Sequence, residues 1–268
     1  MKNLNQLAKA WINLVLLVMT LVINGLGAFG FFNGLSQKAV SDIYATLITP
    51  APFTFSIWSV IYTLLFAAMI ALIVKHQDAY YASVIDRISL LFWLSCGLNI
   101  IWIVCFSYTQ IGLATIFIFA FAIILALIIK QLGAIQTTKS WLLPAAFGMY
   151  AGWLLIASVV NTAAWLVKIE WSGFGISAEI WSVITLVVAV VLTVIVVLNI
   201  KNAIFPIPIA WGYYGIYQSL ISPTGFQGEY RLLPVVAIIG IIILIGLAGF
   251  QFYRNHYRLM PEMSDIQS

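Results

Sequence analysis

The chain alternates long apolar blocks with short polar connections, and each block is about as long as a bilayer is thick. Near 11–32, 53–74, 88–107, 112–130, 141–163, 180–200, 203–220 and 233–253 it runs through apolar stretches. Each is close to the roughly 20 residues a helix needs to cross the hydrocarbon. The pattern predicts an all-α fold: a polytopic membrane helical bundle of eight spans. Between 88 and 129 there is no charge at all. That run is too long for one helix, and "SYTQIG" at 107–112 divides it with polar groups and a glycine, so a tight hairpin is expected there. The span near 203–220 is the shortest, with Pro206 and Pro208 at its start and Pro223 beyond its end.

Composition supports the same class. Of 268 residues, 63% are hydrophobic and only 7% charged, where a soluble domain carries roughly 25% charge. The mean hydropathy is +1.09. The first block is too long for the apolar part of a cleaved signal peptide and is read as a retained span. The formal charge of +4 comes from twelve Lys and Arg that form no cluster, which argues against a nucleic-acid partner. Their distribution instead carries topology. With the amino terminus inside, Lys2, Lys9, Lys75, Arg87, Lys130, Lys139, Lys201, Arg254 and Arg258 fall on the cytoplasmic side, and Lys38, Lys168 and Arg231 fall on the other. Nine against three follows the positive-inside rule, so both termini are expected in the cytoplasm of a multi-pass cell (plasma) membrane protein. A seven-span count lowers the bias only to eight against four, so charge fixes orientation better than number.

Catalytic parts are scarce. No charge sits at mid-depth in any span, where proton relays and ion pathways usually need one. The two histidines, His76 and His256, lie in a loop and past the last span, and no zinc motif, P-loop or nucleophile elbow is present. Cys96 and Cys105 share one block, and nine residues at 100° each put them on opposite helix faces, unable to pair. No enzyme and no bound cofactor are expected.

What the spans do carry is uncharged polar residues interleaved with aromatics at helical spacing. Phe55, Trp58, Tyr62 and Met69 share a face of the second span. Asn99, Trp102 and Phe106 form a narrow stripe on the third, and Tyr150, Trp153, Ala157 and Asn161 form one on the fifth. An amide in the bilayer is costly without a partner, so Asn99 and Asn161 should point into the bundle. Such stripes either bind helices together and pack the core, or meet around an apolar cavity for a planar hydrophobic ligand. Trp11, Trp141, Trp165, Trp171 and Trp181 lie near span ends, as interfacial belts require. Gly25–Gly30, Gly148 with Gly152, and Gly212 with Gly215 suit close helix approach.

These stripes resemble the tryptophan-rich sensory protein family (TspO/MBR, the translocator proteins) over about residues 10–165. The resemblance rests on "PAPFTFSIWSVIY" (50–62), "LNIIWIVCF" (98–106) and "LPAAFGMYAGWLLIASVVN" (143–161), in that order on the second, third and fifth spans. It implies a five-helix TspO-like core at 1–165, with three additional transmembrane helices at 166–255 and a short cytoplasmic tail at 256–268. It also implies a sensory or regulatory role, with a porphyrin, tetrapyrrole or sterol-like ligand held inside the bundle. Carried across, the ligand-binding residues are Trp58, Tyr62, Asn99, Trp102, Tyr150, Trp153, Ala157 and Asn161. The chain departs from the family pattern in splitting its prolines as Pro50 and Pro52 and in lacking the tryptophan before them. The expected partners are the lipid bilayer and a hydrophobic small molecule, with homo-oligomerisation open. The alternative reading is a transporter or permease for a small neutral or amphipathic solute.

Overall fold

The computed structural model describes residues 5–137 and 140–262. Lys2, Lys139 and the last six residues of the tail lie outside them. Among the described residues the regular structure is entirely helical: α1 (Gln6–Ala28), α2 (Gln37–Ile43), α3 (Ile57–Val74), α4 (Ala79–Ser107), α5 (Ile111–Gly133), α6 (Leu142–Lys168), α7 (Ala178–Ile200), α8 (Pro206–Ile221) and α9 (Leu232–Arg254). Two 3₁₀ turns, Pro52–Ser56 and Gly173–Gly175, complete it.

Seven of these helices are long and apolar enough to cross a membrane, rather than the expected eight. The exception is α8. Its 16 residues span about 24 Å at 1.5 Å per residue, short of the roughly 30 Å hydrocarbon core. Local chemistry sets most boundaries. The Asn5 side chain accepts from Ala8 N at 2.7 Å, and that of Asp78 from Tyr80 N at 2.9 Å, supplying caps to α1 and α4. The first span therefore begins earlier than hydropathy indicates and ends at Ala28, before the exposed Phe29 and Phe31. The hairpin at 107–112 is as expected, with Thr109 at φ +56° between α4 and α5. Pro52 opens a 3₁₀ turn, and the α-helix proper starts only at Ile57.

Helix α6 is the centre of the bundle, packing against α3, α5, α7 and α8, while α1 and α5 flank α4, and α9 covers α7 and α8. Asn202 donates to Pro144 O at 2.9 Å beside the start of α6, and Gly212 approaches Ile156 further along it. Thus α8 runs parallel to α6, and its short connections make it antiparallel to α7 and α9. The approach is possible only because the contacts are glycines. A Cβ on Gly152 would lie 2.1 Å from Phe205 O, and one on Gly215 would lie 2.0 Å from Thr54 Oγ1. Small residues give dispersion contact where lipid supplies no hydrophobic drive. Backbone groups then lock the seat: Ala51 N donates to Gly215 O at 2.9 Å, and Trp211 Nε1 to Thr54 O at 2.9 Å. The tyrosine hydroxyl of Tyr213 donates to Leu186 O of α7.

Cys96 and Cys105 are both free thiols, the first buried and the second half-buried.

Candidate functional site

The α3, α4 and α6 stripes converge inside the bundle, near the end where α3 begins and α4 stops. Trp58 and Trp153 meet there with ring centroids 6.0 Å apart, and Phe55 lies 6.4 Å from Trp153. Trp102 leans on Phe106 at 5.8 Å, and its indole donates to Asn161 Oδ1 at 3.3 Å. Asn161 in turn donates to Thr115 Oγ1 at 2.7 Å, which ties α4, α5 and α6 together. Between these side chains is a cavity of about 70 Å³. Of the eight candidate residues, Trp58, Trp102, Trp153, Ala157 and Asn161 line it.

The other three lie deeper. Asn99, fully buried, accepts from Asn24 Nδ2 at 2.6 Å and donates to the Tyr150 hydroxyl at 2.7 Å. Tyr62 stacks on Trp58 at 5.1 Å, with its hydroxyl buried beside Asn99 and Tyr150. Asn99 and Tyr150 therefore cross-link α1, α4 and α6 beneath the cavity without facing into it.

Part of the wall was not anticipated from the sequence. Helix α2 contributes Gln37 and Ser41, and the segment after it Tyr44, Thr49 and Pro50. Helix α8 contributes Gly212 and Ile216, so one of the additional helices completes a site expected within 1–165. The α2 signal was faint: a seven-residue helix capped by Ser36, whose side chain accepts from Ala39 N at 3.1 Å.

Chemically the cavity is uncharged and largely apolar. Its described lining holds no Asp, Glu, Lys, Arg, His or Cys, and the hydroxyls of Ser41, Tyr44 and Thr49 are left without a base among the lining residues to activate them. Among its polar side chains, Trp102 and Asn161 are paired as above, Thr49 is paired with Thr46, and Gln37 donates to Asn24 O. The indole N–H of Trp153 is instead buried without a hydrogen-bond partner, on a side chain only 3% exposed. An unmet buried donor costs about 1–3 kcal/mol, and an acceptor on a bound molecule would recover it. Among the described residues no group of three or more His, Cys, Asp or Glu could hold a metal ion.

Compared with known families, residues 10–250 match the model described as TSPO-like protein. The chain belongs to the TSPO-like protein family. No curated protein and no solved structure matches it. The family match runs well past the 10–165 carried by the three motifs and takes in α7, α8 and most of α9. The additional helices are thus part of the region that this TSPO-like family shares, in keeping with α8 forming a wall of the cavity. The chain is a multi-pass membrane protein, with seven helices among the described residues long and apolar enough to span.

Proposed function

We propose that this TSPO-like protein is a membrane receptor that binds a hydrophobic, planar molecule of the tetrapyrrole or sterol class in the α3–α4–α6–α8 cavity, in a sensory or regulatory role. The observation that carries this reading is the unpartnered indole N–H of Trp153 in an otherwise uncharged, aromatic-lined cavity. Ligand sites of drug size usually occupy about 300–1,000 Å³, several times the room between these walls, so the ligand must part them on entering. The wall best suited to move is α2, a two-turn helix resting on the ends of α1 and α4. Trp58, Trp102, Trp153, Ala157 and Asn161 would contact the ligand, while Tyr62, Asn99 and Tyr150 would hold the floor beneath it.

The test is titration of the purified protein with haem, protoporphyrin and a sterol, set beside Trp153→Phe, which keeps an aromatic ring and removes the N–H. An affinity unchanged in the variant for every ligand would remove the cavity assignment. In this reading α8 is an eighth, short crossing, held by glycine contacts against α6 and the Pro52–Ser56 turn. The 1–165 core with the 166–255 helices then works as one unit, with both termini on the cytoplasmic side of the plasma membrane. Self-association through the exposed apolar faces of α7 and α9 is compatible with it.

Transport of a small neutral or amphipathic solute is the second reading. The observation favouring it is that residues 44–50 form a single layer between the cavity and a second hollow at the same end of the bundle. Net flux into proteoliposomes separates the two readings, since a receptor gives none above empty liposomes.

A further inference from the structure

That second hollow differs from the cavity in size and in charge. It is an open groove of about 600 Å³ at the end of the bundle where α6 stops and α7 begins. Tyr44, Thr49 and Pro50 face the cavity, whereas Ala45 to Ile48 face the groove, with Leu47 and Ile48 buried between. Its volume lies within the range of about 300–1,000 Å³ typical of small-molecule sites.

Two of the five tryptophans expected in an interfacial belt instead form its wall. Trp11, Trp141 and Trp165 are exposed as a belt requires, but Trp171 and Trp181 are half-buried against each other, ring centroids 5.0 Å apart. The arrangement is fixed. Trp181 Nε1 donates to Gly173 O at 2.8 Å, so its polar atom is used and its ring is pinned. Trp171 is held from the other side by Phe174 at 5.4 Å. The turn that places them is a strained one: Glu170 takes φ +52°, a left-handed conformation that side chains with a Cβ adopt only at a cost.

Glu170 is also the one charged side chain among the described residues that line the groove, and it has no hydrogen bond or ion pair to its carboxylate among them. Lys168, two residues before it, is engaged elsewhere, donating to Thr109 O and lying over the Tyr44 ring. The hydroxyls of Thr46, Ser182 and Thr185 are satisfied by neighbouring groups of their own segments. An exposed carboxylate without an ion pair and two fixed indoles thus line one hollow, and one kind of group complements both. It is a positive charge on an apolar body, which the carboxylate attracts and the ring faces favour.

We infer that this groove is a second binding site, distinct from the cavity, for an organic ammonium group carried on an apolar body. The same chemistry occurs in a free amphipathic amine and in the choline headgroup of a lipid. The ammonium sits between the Glu170 carboxylate and the indoles of Trp171 and Trp181, and the apolar part lies along Ile48, Val167 and Phe226. The inference does not rest on the tetrapyrrole or sterol reading of the cavity.

The test uses the full chain in phosphatidylglycerol nanodiscs, titrated calorimetrically with benzyltrimethylammonium. Wild type should bind saturably, and Glu170→Gln should bind roughly fivefold more weakly, while Glu179→Gln, which removes a nearby carboxylate outside the groove, should not differ from wild type. Trp153→Phe should also leave binding unchanged, which separates this site from the cavity. Repeating the wild-type and Glu170→Gln pair in phosphatidylcholine nanodiscs identifies the source. A ratio that persists there points to a free amine, and a ratio that collapses only there points to the lipid headgroup already in place. Glu170→Gln binding within about twofold of wild type in phosphatidylglycerol overturns the inference, as does an equal loss in Glu179→Gln.

Discussion

The indole of Trp58 meets that of Trp153 edge to face, with ring centroids 6.0 Å apart and planes at 84°. This contact joins the start of α3 to the middle of α6, and Trp58 extends it by stacking on Tyr62 and meeting Tyr150 at 6.1 Å. The relationship makes Trp58 a structural hinge of the cavity wall as well as part of its lining. Edge-to-face pairs contribute about 0.5–1.5 kcal/mol beyond the area they bury. Trp58→Ala should therefore destabilise the protein by about 3 kcal/mol, and Trp58→Phe by about 1 kcal/mol. Thermal unfolding in detergent measures both. A Trp58→Ala variant as stable as wild type would mean that these rings do not support one another.

Asn99 offers the opposite case, a candidate residue with a large structural effect and no direct contact with the cavity. Removing its amide leaves Asn24 and Tyr150 without their shared partner, and interhelical hydrogen bonds in membranes average only about 0.6 kcal/mol each. The larger cost is a buried Tyr150 hydroxyl that loses its Asn99 donor and one Asn24 N–H left unmet, Asn24 keeping its bond to Thr20 O at 2.8 Å. Asn99→Ala should therefore destabilise by about 2 kcal/mol. Tyr150→Phe should be non-additive with it, because both remove the same bond. Ligand affinity measured on the folded fraction should stay close to wild type. A strong loss of affinity with unchanged stability would place Asn99 in the lining after all.

The difference between these two residues marks how far the sequence could be read. Helical periodicity gave the direction of the stripes, because 3.6 residues per turn fixes which side chains share a face. Trp58, Trp102, Trp153, Ala157 and Asn161 accordingly surround one cavity. Periodicity carries no depth, so Tyr62, Asn99 and Tyr150 belonged to the same stripes yet lie beneath the site. Hydropathy placed the long helices but shifted α1, because Gln6 and Lys9 read as a polar lead-in. In the fold Asn5 caps the helix, and Lys9 pairs with Asp86 of α4 at 2.6 Å. Helix α8 was legible as a short apolar block with glycines, but not as a cavity wall. Its place depends on backbone-to-backbone approach at Gly152 and Gly215, which leaves no periodic side-chain signal.

That close approach yields a prediction with internal controls. Gly152→Ala puts a methyl 2.1 Å from the Phe205 carbonyl oxygen, and Gly215→Ala puts one 2.0 Å from Thr54 Oγ1. The first obstacle is backbone, so α8 itself must shift, and overpacking of this kind costs about 1–3 kcal/mol. A methyl added at Gly25 in α1 or at Gly246 in α9 meets nothing within 4 Å. Alanine there should be neutral or stabilising by up to about 1 kcal/mol, through helix propensity. Proteolysis of the 201–205 connection together with thermal unfolding reports the result. Equal behaviour of all four variants would show that α8 is not seated by these contacts.

The cover of the cavity can be tested without touching its lining aromatics. Helix α2 has seven residues, too few to be stable alone, since isolated helices shorter than about 12–15 residues are marginal in water. It is held by the Ser36 cap on Ala39 N and by Gln37 Nε2, which donates to Asn24 O at 3.4 Å. Ser36→Ala removes the cap, a loss of about 1 kcal/mol. If ligand enters by displacing α2, that amount raises the population of the open state roughly fivefold, and association should accelerate by a similar factor. Global stability should change little, because α2 lies at the rim and packs mainly on α1 and α4. Stopped-flow quenching of tryptophan fluorescence by protoporphyrin gives the rate. An unchanged association rate with the cap removed would move the way in from α2 to another wall, of which the α8 seam is the next to test.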